Sequence, residues 1–179
     1  MPEIEVRPAT ASDIPTLISL DHNYTTEYAW QMSFQSEHGE GQSINFRRIR
    51  LPRPVKVEYP RSPNSLSKSW NQRSAILIAL FNKQAIGYVS LWLNKLPSNT
   101  WITDLVVSRA LRRQGIGSVL ILASCKWATN AGSKYLVFEM QPKNFPAIQL
   151  AQKLGFEFCG FNDIYYPDHE IAIFFRKAI

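Results

Sequence analysis

The chain is poor in cysteine: Cys125 and Cys159 are the only two among 179 residues. Two are too few for a disulfide framework, and they lack the paired spacing of a metal site, so free thiols in a reducing cytoplasm are expected. The three histidines, His22, His38 and His169, are scattered, and no metal is expected. No apolar run approaches the roughly 18 residues of a membrane span, so no membrane association is expected. The opening MPEIEVRPAT is polar and acidic, unlike a secretory signal. No internal repeat or low-complexity tract interrupts the chain. Acidic residues almost vanish between positions 41 and 73. There Arg47, Arg48, Arg50, Arg53, Lys56, Arg61, Lys68 and Arg73 face Glu58 alone.

What is present suits one domain with a sizeable core: 45% of residues are apolar and the net charge is +6. The basic segment reads either as a solvated face or as an attractor of nucleic acid, ribosome surface or acidic substrates. No nucleic-acid motif accompanies it, so nucleic acid is not an expected partner.

Alternation over 3–9 predicts a first strand, and Thr10 or Ser12 starts a helix to about Leu20. Thr25 to Phe34 and Ser43 to Leu51 are strand-like on either side of the turn signal at 36–42, which predicts a long hairpin. Its edge leaves pairing between two copies of the chain open. Pro52, Pro54, Pro60 and Pro63 are expected to hold the chain extended and irregular. Ala75 to Phe81 and Ala85 to Leu93 form a second hairpin around Asn82-Lys83-Gln84. The next break falls at 97–99, and Trp101 to Val107 is a strand. Ser118 to Ala131 is a helix whose Ile116, Val119, Leu120, Ala123, Trp127 and Ala131 should face the sheet, with Gly132 as its stop. Lys134 to Met140 is a strand, Pro146 to Leu154 a short helix ended by Gly155, and Phe156–Phe161 and Glu170–Arg176 are closing strands.

One stretch organises this pattern: the strand ending Leu105-Val106-Val107, the turn Arg112-Arg113-Gln114-Gly115-Ile116-Gly117, and the helix from Ser118. A helix start offers unpartnered N–H groups and a positive dipole end, hence an anion site. Glycine at 115 and 117 lets a phosphate approach the backbone. The turn is neither a P-loop, for no lysine follows Gly117, nor a dinucleotide fingerprint, for position 120 is leucine.

Arg112-x-x-Gly115-x-Gly117 resembles the Q/R-x-x-G-x-G/A signature of the GNAT superfamily of acyl-CoA N-acyltransferases. Asn144-x-x-Ala147-Ile148, followed by Leu154-Gly155-Phe156, resembles that superfamily's second signature. Tyr165-Tyr166-Pro167 before the last strand is similar to the branch containing ribosomal-protein alanine N-acetyltransferases. Streptothricin acetyltransferases share much of this pattern. The resemblance covers Ala75 to Ile179; residues 20–74 match neither branch.

The resemblance implies a single α/β (α+β) domain over 1–179, with a central, mixed, mostly antiparallel twisted sheet flanked by helices and an extra N-terminal hairpin. Residues 20–74 would form a variable acceptor side and 75–179 an acetyl-CoA-binding core. It implies cytoplasmic transfer of an acetyl group from acetyl-CoA to a primary amine, on a protein N-terminus or a small molecule, by direct attack in a ternary complex. Leu105, Val106 and Val107 would bind the pantetheine arm, with a backbone N–H, that of Val107, polarising the thioester. Arg112 to Ser118 would hold the pyrophosphate, and Asn144 and Ala147 the arm near the second helix. Glu139 matches the family's base; its plainer identity is an ion-paired strand carboxylate. Asp104 is the second acidic candidate; its plainer identity is a solvated edge residue. The family's acidic tyrosine is replaced by Ala151, and Tyr165 or Tyr166 is the available substitute. A non-catalytic acyl-CoA-binding module is the alternative that Ala151 keeps open.

Overall fold

The computed structural model describes residues 4–179 except His38, Glu40 and Pro97. The expectations for Glu3 in the first strand, for His38, for Glu40 in the turn and for the break at Pro97 lie outside the described residues.

Among the described residues, nine strands and four α-helices follow one another: β1 (Glu5–Pro8), α1 (Ile14–Ser19), β2 (Tyr24–Glu37), β3 (Gly41–Val57), α2 (Ser65–Ser69), β4 (Ala75–Phe81), β5 (Gln84–Lys95), β6 (Ser98–Val107), α3 (Ile116–Asn130), β7 (Tyr135–Met140), α4 (Phe145–Lys153), β8 (Glu157–Asn162) and β9 (Ala172–Ala178). Seven strands form one sheet in the order β1-β4-β5-β6-β7-β9-β8, and β2 and β3 form a separate two-stranded sheet. Neighbours in the large sheet are antiparallel except β6 and β7. The mixed, mostly antiparallel sheet with flanking helices and an added hairpin is the expected architecture.

The parallel pair positions the site. It is held over four rungs only, Asn99↔Tyr135 to Ile102↔Phe138. Beyond them β6 runs on to Val107 and β7 to Met140 without pairing. The strands therefore splay, and their facing edges carry peptide groups that have no partner on the opposite strand.

A β-bulge prepares the same region. Ser90 of β5 pairs with Asp104 while Leu91 pairs with Ile102, so Thr103 is the extra residue. The bulge flips the face: Ile102 packs with the α3 and α4 core, whereas Val106 packs with Ile14, Leu17 and Leu66 of α1 and α2. Close to it, Gly87 lies against the strand end, where a Cβ would stand 2.7 Å from the Val106 carbonyl oxygen. The β4–β5 turn has Asn82 and Lys83 at φ 49 and 63, the left-handed pair of a tight hairpin.

Three expectations change. The hairpin is longer than expected, and Pro52 and Pro54 lie within β3. They are tolerated because Val55 pairs Thr26 while Arg50 pairs Tyr28, leaving 51–54 without partners that need their missing donors. α2 and the 3-10 turn Trp70–Gln72 occupy a stretch read as irregular; α2 is a five-residue helix that only tertiary burial of Leu66 secures. In α3 the buried face is Ile116, Leu120, Ile121, Ser124 and Ala128. Val119, Ala123, Trp127 and Ala131 are half-buried flank. Ser124 hides in this face because its hydroxyl donates to the Leu120 carbonyl, 2.8 Å.

The root of the β2–β3 hairpin packs on the sheet's far edge. Trp30 meets Phe175 at 5.4 Å between ring centroids, and Phe46 meets Phe158 at 5.2 Å. Tyr28 lies 5.1 Å from Phe145 at the start of α4, and the Trp30 N–H donates to the Pro142 carbonyl, 2.9 Å.

Candidate active site

The splay opens into a cleft of about 490 Å³ lined by β6, the 112–118 turn, α4 and the residues His22, Tyr24 and Tyr59. Strand register decides which groups of β6 face it. Ser108 N–H donates to Ile86 O at 2.7 Å, so Gly87 and Val107 are a non-hydrogen-bonded pair. In an antiparallel ladder such residues aim their peptide groups away from their partner strand. Val107, and Leu105 two residues before it, therefore turn N–H and C=O toward the splay. Val106 does the opposite: its peptide groups face Tyr88, and its side chain is buried among α1 and α2. Of the three residues expected to meet the pantetheine arm, only Leu105 and Val107 line the cleft.

The turn into α3 is shaped by two left-handed residues, Arg113 at φ 67 and Gly115 at φ 88. Gly115 is the N-cap and no side chain caps the helix. The first intrahelical bond is Val119 N–H to Gly115 O, 3.1 Å. The amides of Ile116, Gly117 and Ser118 precede it, at the cleft wall, where an anion would find donors and the positive dipole end. Arg113 and Gln114 are exposed beside them.

Arg112 is committed elsewhere. Its Nε donates to Val107 O at 2.9 Å, one Nη to Asn23 O at 2.7 Å, and the other to Asp21 O. It clamps the link between α1 and β2 to the end of β6. Gly117 also has a different neighbour from the expected phosphate: a Cβ there would stand 3.0 Å from the Leu150 side chain of α4. Its smallness lets two helices close on the cleft.

Asn144 is the N-cap of α4, its Oδ1 accepting from the Ala147 N–H at 3.2 Å. Its Nδ2 is left for the cleft it lines. On α4 the cleft face is Pro146, Ala147, Gln149, Leu150 and Lys153. Ala151 is fully buried on the opposite, core face.

Below the cleft a second, narrow pocket of about 30 Å³ shares Tyr59, Leu105, Asn144 and Ala147 with it and reaches Glu139. Glu139 is 4% exposed. One carboxylate oxygen accepts from Arg61 and the other from the Tyr165 hydroxyl. Burial raises its pKa above the ordinary carboxylate range, and the Arg61 charge and both hydrogen bonds oppose that rise. Tyr165 does not line the cleft; its hydroxyl is turned to Glu139, and burial and that carboxylate both push its pKa up.

Asp104 is not the solvated edge residue of the plainer reading. It is 5% exposed, accepts from the Tyr59 hydroxyl at 2.6 Å, and faces Arg73 at 3.7 Å and Arg61 at 3.8 Å. The Thr103 bulge puts it on the Tyr59 and Arg61 side of the sheet rather than on the Ile102 side. Arg61 thus stands between the two carboxylates. Sequence reasoning missed Arg61, Arg73 and Tyr59 as site residues, treating the two arginines as members of a basic patch. The available signal was the charge balance: two strand carboxylates in an apolar core require cations, and the basic segment holds more than the whole chain's surplus, eight cations against one carboxylate where the chain nets +6. Burial keeps the His22 pKa low, and its Nδ1 donates to Leu20 O while Nε2 accepts from the Tyr88 hydroxyl at 3.0 Å, a neutral ring braced at both nitrogens. Among the described residues no cluster of His, Cys, Asp or Glu suits a metal ion, and no helix is long and apolar enough to cross a membrane.

Comparison with known proteins gives one family match: residues 44–156 fit the model described as Acetyltransferase (GNAT) family. A streptothricin acetyltransferase of Streptomyces lavendulae is 25% identical over 172 residues, covering 90% of this chain and 86% of that protein. Among solved structures, nourseothricin acetyltransferase superposes with a TM-score of 0.81 at 20% identity, covering 98% of each chain. A putative streptothricin acetyltransferase from Bacillus anthracis str. Ames, in complex with acetyl coenzyme A, superposes with a TM-score of 0.78 at 22% identity, over 99% of this chain and 100% of that one.

Proposed function

The chain belongs to the Acetyltransferase (GNAT) family, and from that premise we propose that it uses acetyl-CoA, held along the cleft, to acetylate a primary amine that reaches Glu139 through the narrow pocket. The observation that carries this reading is the shared wall of the two spaces beside the β6–β7 splay: Tyr59, Leu105, Asn144 and Ala147 line both. An anion-suited helix start lies along one, and a buried, ionisable carboxylate closes the other.

A bound acetyl thioester supplies an electrophilic carbonyl and a thiol leaving group. The protein's part is orientation, charge and proton handling. The amides of Ile116, Gly117 and Ser118, with Arg113 and Lys153 on the rim, suit the coenzyme's phosphates. Leu105 and the Asn144 Nδ2 suit the amide groups of its arm. The Val107 N–H, aimed into the splay, suits a developing oxyanion. Glu139, ionised, takes a proton from the incoming ammonium, directly or through one water, so that a neutral amine attacks. Tyr165 steadies that carboxylate rather than protonating the thiolate. With Ala151 in the core, water serves as the leaving group's proton source; a thiol pKa near 8.5 demands little more.

A small-molecule amine is the favoured acceptor class over a protein N-terminus. The likeness to the streptothricin enzyme of S. lavendulae runs along 90% of this chain, so it extends well into the acceptor side. The test is thiol release from acetyl-CoA with separate pools of small amines and of peptides bearing free N-termini. Release is expected with the small amines, and release with the peptides alone reverses the acceptor assignment. Glu139→Gln is expected to lower kcat/KM by about 10²–10⁴ while acetyl-CoA binding persists. A wild-type rate across the pH range removes Glu139 from the reaction. Acetyl-CoA binding without turnover on any amine would instead favour the non-catalytic module.

A further inference from the structure

The segment 20–74 sends one side chain to the centre of the site. Arg61, on the link between β3 and α2, donates through one Nη to the Thr103 carbonyl of β6 at 2.9 Å and through the other to Glu139 of β7. Thr103 follows Ile102, the last β6 residue paired with β7, and Glu139 follows Phe138, its partner. The guanidinium therefore occupies the position of the next rung, at the point where the two backbones part. It lies 5.0 Å from the centroid of the Tyr166 ring, within cation–π range.

We propose that Arg61 is the positioning residue for Glu139: it bridges the splay, fixes the carboxylate's direction and holds it ionised inside the core. This rests on the reading of Glu139 as the base. An isolated carboxylate so buried would take up a proton rather than stay charged. The groups facing it divide unequally. From β6, Asp104 adds a second negative charge, itself opposed by Arg73. From the loop before β9, Tyr165 donates one hydrogen bond and Tyr166 lies beneath the guanidinium. From β9, Phe174 stands opposite Glu139 in register and Ile173 opposite Met140, both apolar. From the link itself, Tyr59 bonds Asp104. Arg61 is thus the cation that pairs directly with Glu139. Its own backbone is stiffened by Pro60 and Pro63 and tied by the Tyr59 N–H to Asn23 Oδ1, 2.9 Å. The two bonds fix Glu139 without exhausting it, because a carboxylate offers about four lone-pair sites.

The role has a sign. A base works ionised, so kcat/KM falls as pH drops through its pKa. Removing Arg61 leaves burial and Asp104 to raise that pKa, and the acid limb moves to higher pH. The experiment titrates Glu139 directly in the free full-length protein by carboxyl carbon NMR, with Glu139→Gln identifying the resonance. Arg61→Gln is expected to move the midpoint up by about 1–3 pH units and the acid limb of kcat/KM with it. Arg61→Met, of similar length and uncharged, gives the same test should the glutamine variant not fold. Arg61→Lys keeps the charge and is expected to recover most of the shift. An unmoved midpoint in either folded neutral variant overturns the proposal, as does a lysine variant that titrates like the glutamine one. A midpoint that follows Arg61 while the acid limb stays in place supports the proposal and overturns only the reading of Glu139 as the base.

Discussion

The Arg112 guanidinium aims at three main-chain oxygens, on Val107, Asn23 and Asp21, and so belongs to the fold as much as to the phosphate turn. Motif matching assigns such an arginine to the anion, whereas in the proposed binding mode the coenzyme's phosphates meet backbone amides, Arg113 and Lys153. Arg112→Gln is therefore expected to destabilise the protein by about 1–3 kcal/mol, the cost of orphaning half-buried carbonyls. The check is a denaturant melt with and without saturating acetyl-CoA. A variant of unchanged stability that has lost only coenzyme affinity would return Arg112 to direct phosphate contact. Glu139 and Asp104 make the matching point for acids. Both were legible as acidic residues on the right strands, Glu139 by its spacing from Asn144. That Asp104 lies toward Tyr59 and Arg61 rather than in the α3–α4 core could not be read, because strict alternation from Ile102 would have placed both on one face, and the Thr103 bulge moves Asp104 to the face of Val106.

At the scale of elements, the end of β6 is the part on which the site depends most. Its Leu105 and Val107 present peptide groups to the cleft, and β5 can lie close enough to fix them because Gly87 has no side chain. A Cβ at Gly87 would meet backbone rather than a mobile side chain, at 2.7 Å. Gly87→Ala is expected to cost about 1–3 kcal/mol and to displace the strand end. Thermal melts should show the loss, and kcat should fall with KM altered, since the proposed oxyanion donor, the Val107 N–H, moves with the strand end. An alanine variant with wild-type stability and kinetics would show that β5 and β6 can part locally at no cost. The helices were legible for ordinary reasons: Asn144 caps α4, and Gly132 and Gly155, at φ 79 each, end α3 and α4. The face of α3 was less so, because a hydrophobicity count passes over Ser124, whose hydroxyl is satisfied within its own helix.

Across the whole molecule, the positive charge falls into two populations. Arg61 and Arg73 turn inward to balance Glu139 and Asp104, whereas Arg47, Arg48, Arg50, Arg53 and Lys56 stay exposed along β3. With a net charge of +6, the molecule should attract a polyanionic coenzyme over distances that salt screens. Raising ionic strength from about 0.05 to 0.5 M is expected to raise the KM for acetyl-CoA several-fold with kcat little changed. Steady-state kinetics in sodium chloride read this directly, and a KM indifferent to salt would mean that long-range charge contributes nothing to coenzyme capture. The sequence by itself determined the sheet-and-helix order, the glycine turn, the second helix cap and the family, because these rest on local periodicity and on short-range backbone chemistry. Only the tertiary structure decided where β6 and β7 part, which face Asp104 takes, what Arg112 holds, and that Arg61 crosses 78 positions of chain to reach Glu139. Those outcomes depend on strand register and on the pairing of buried charges, and neither is encoded within any one segment.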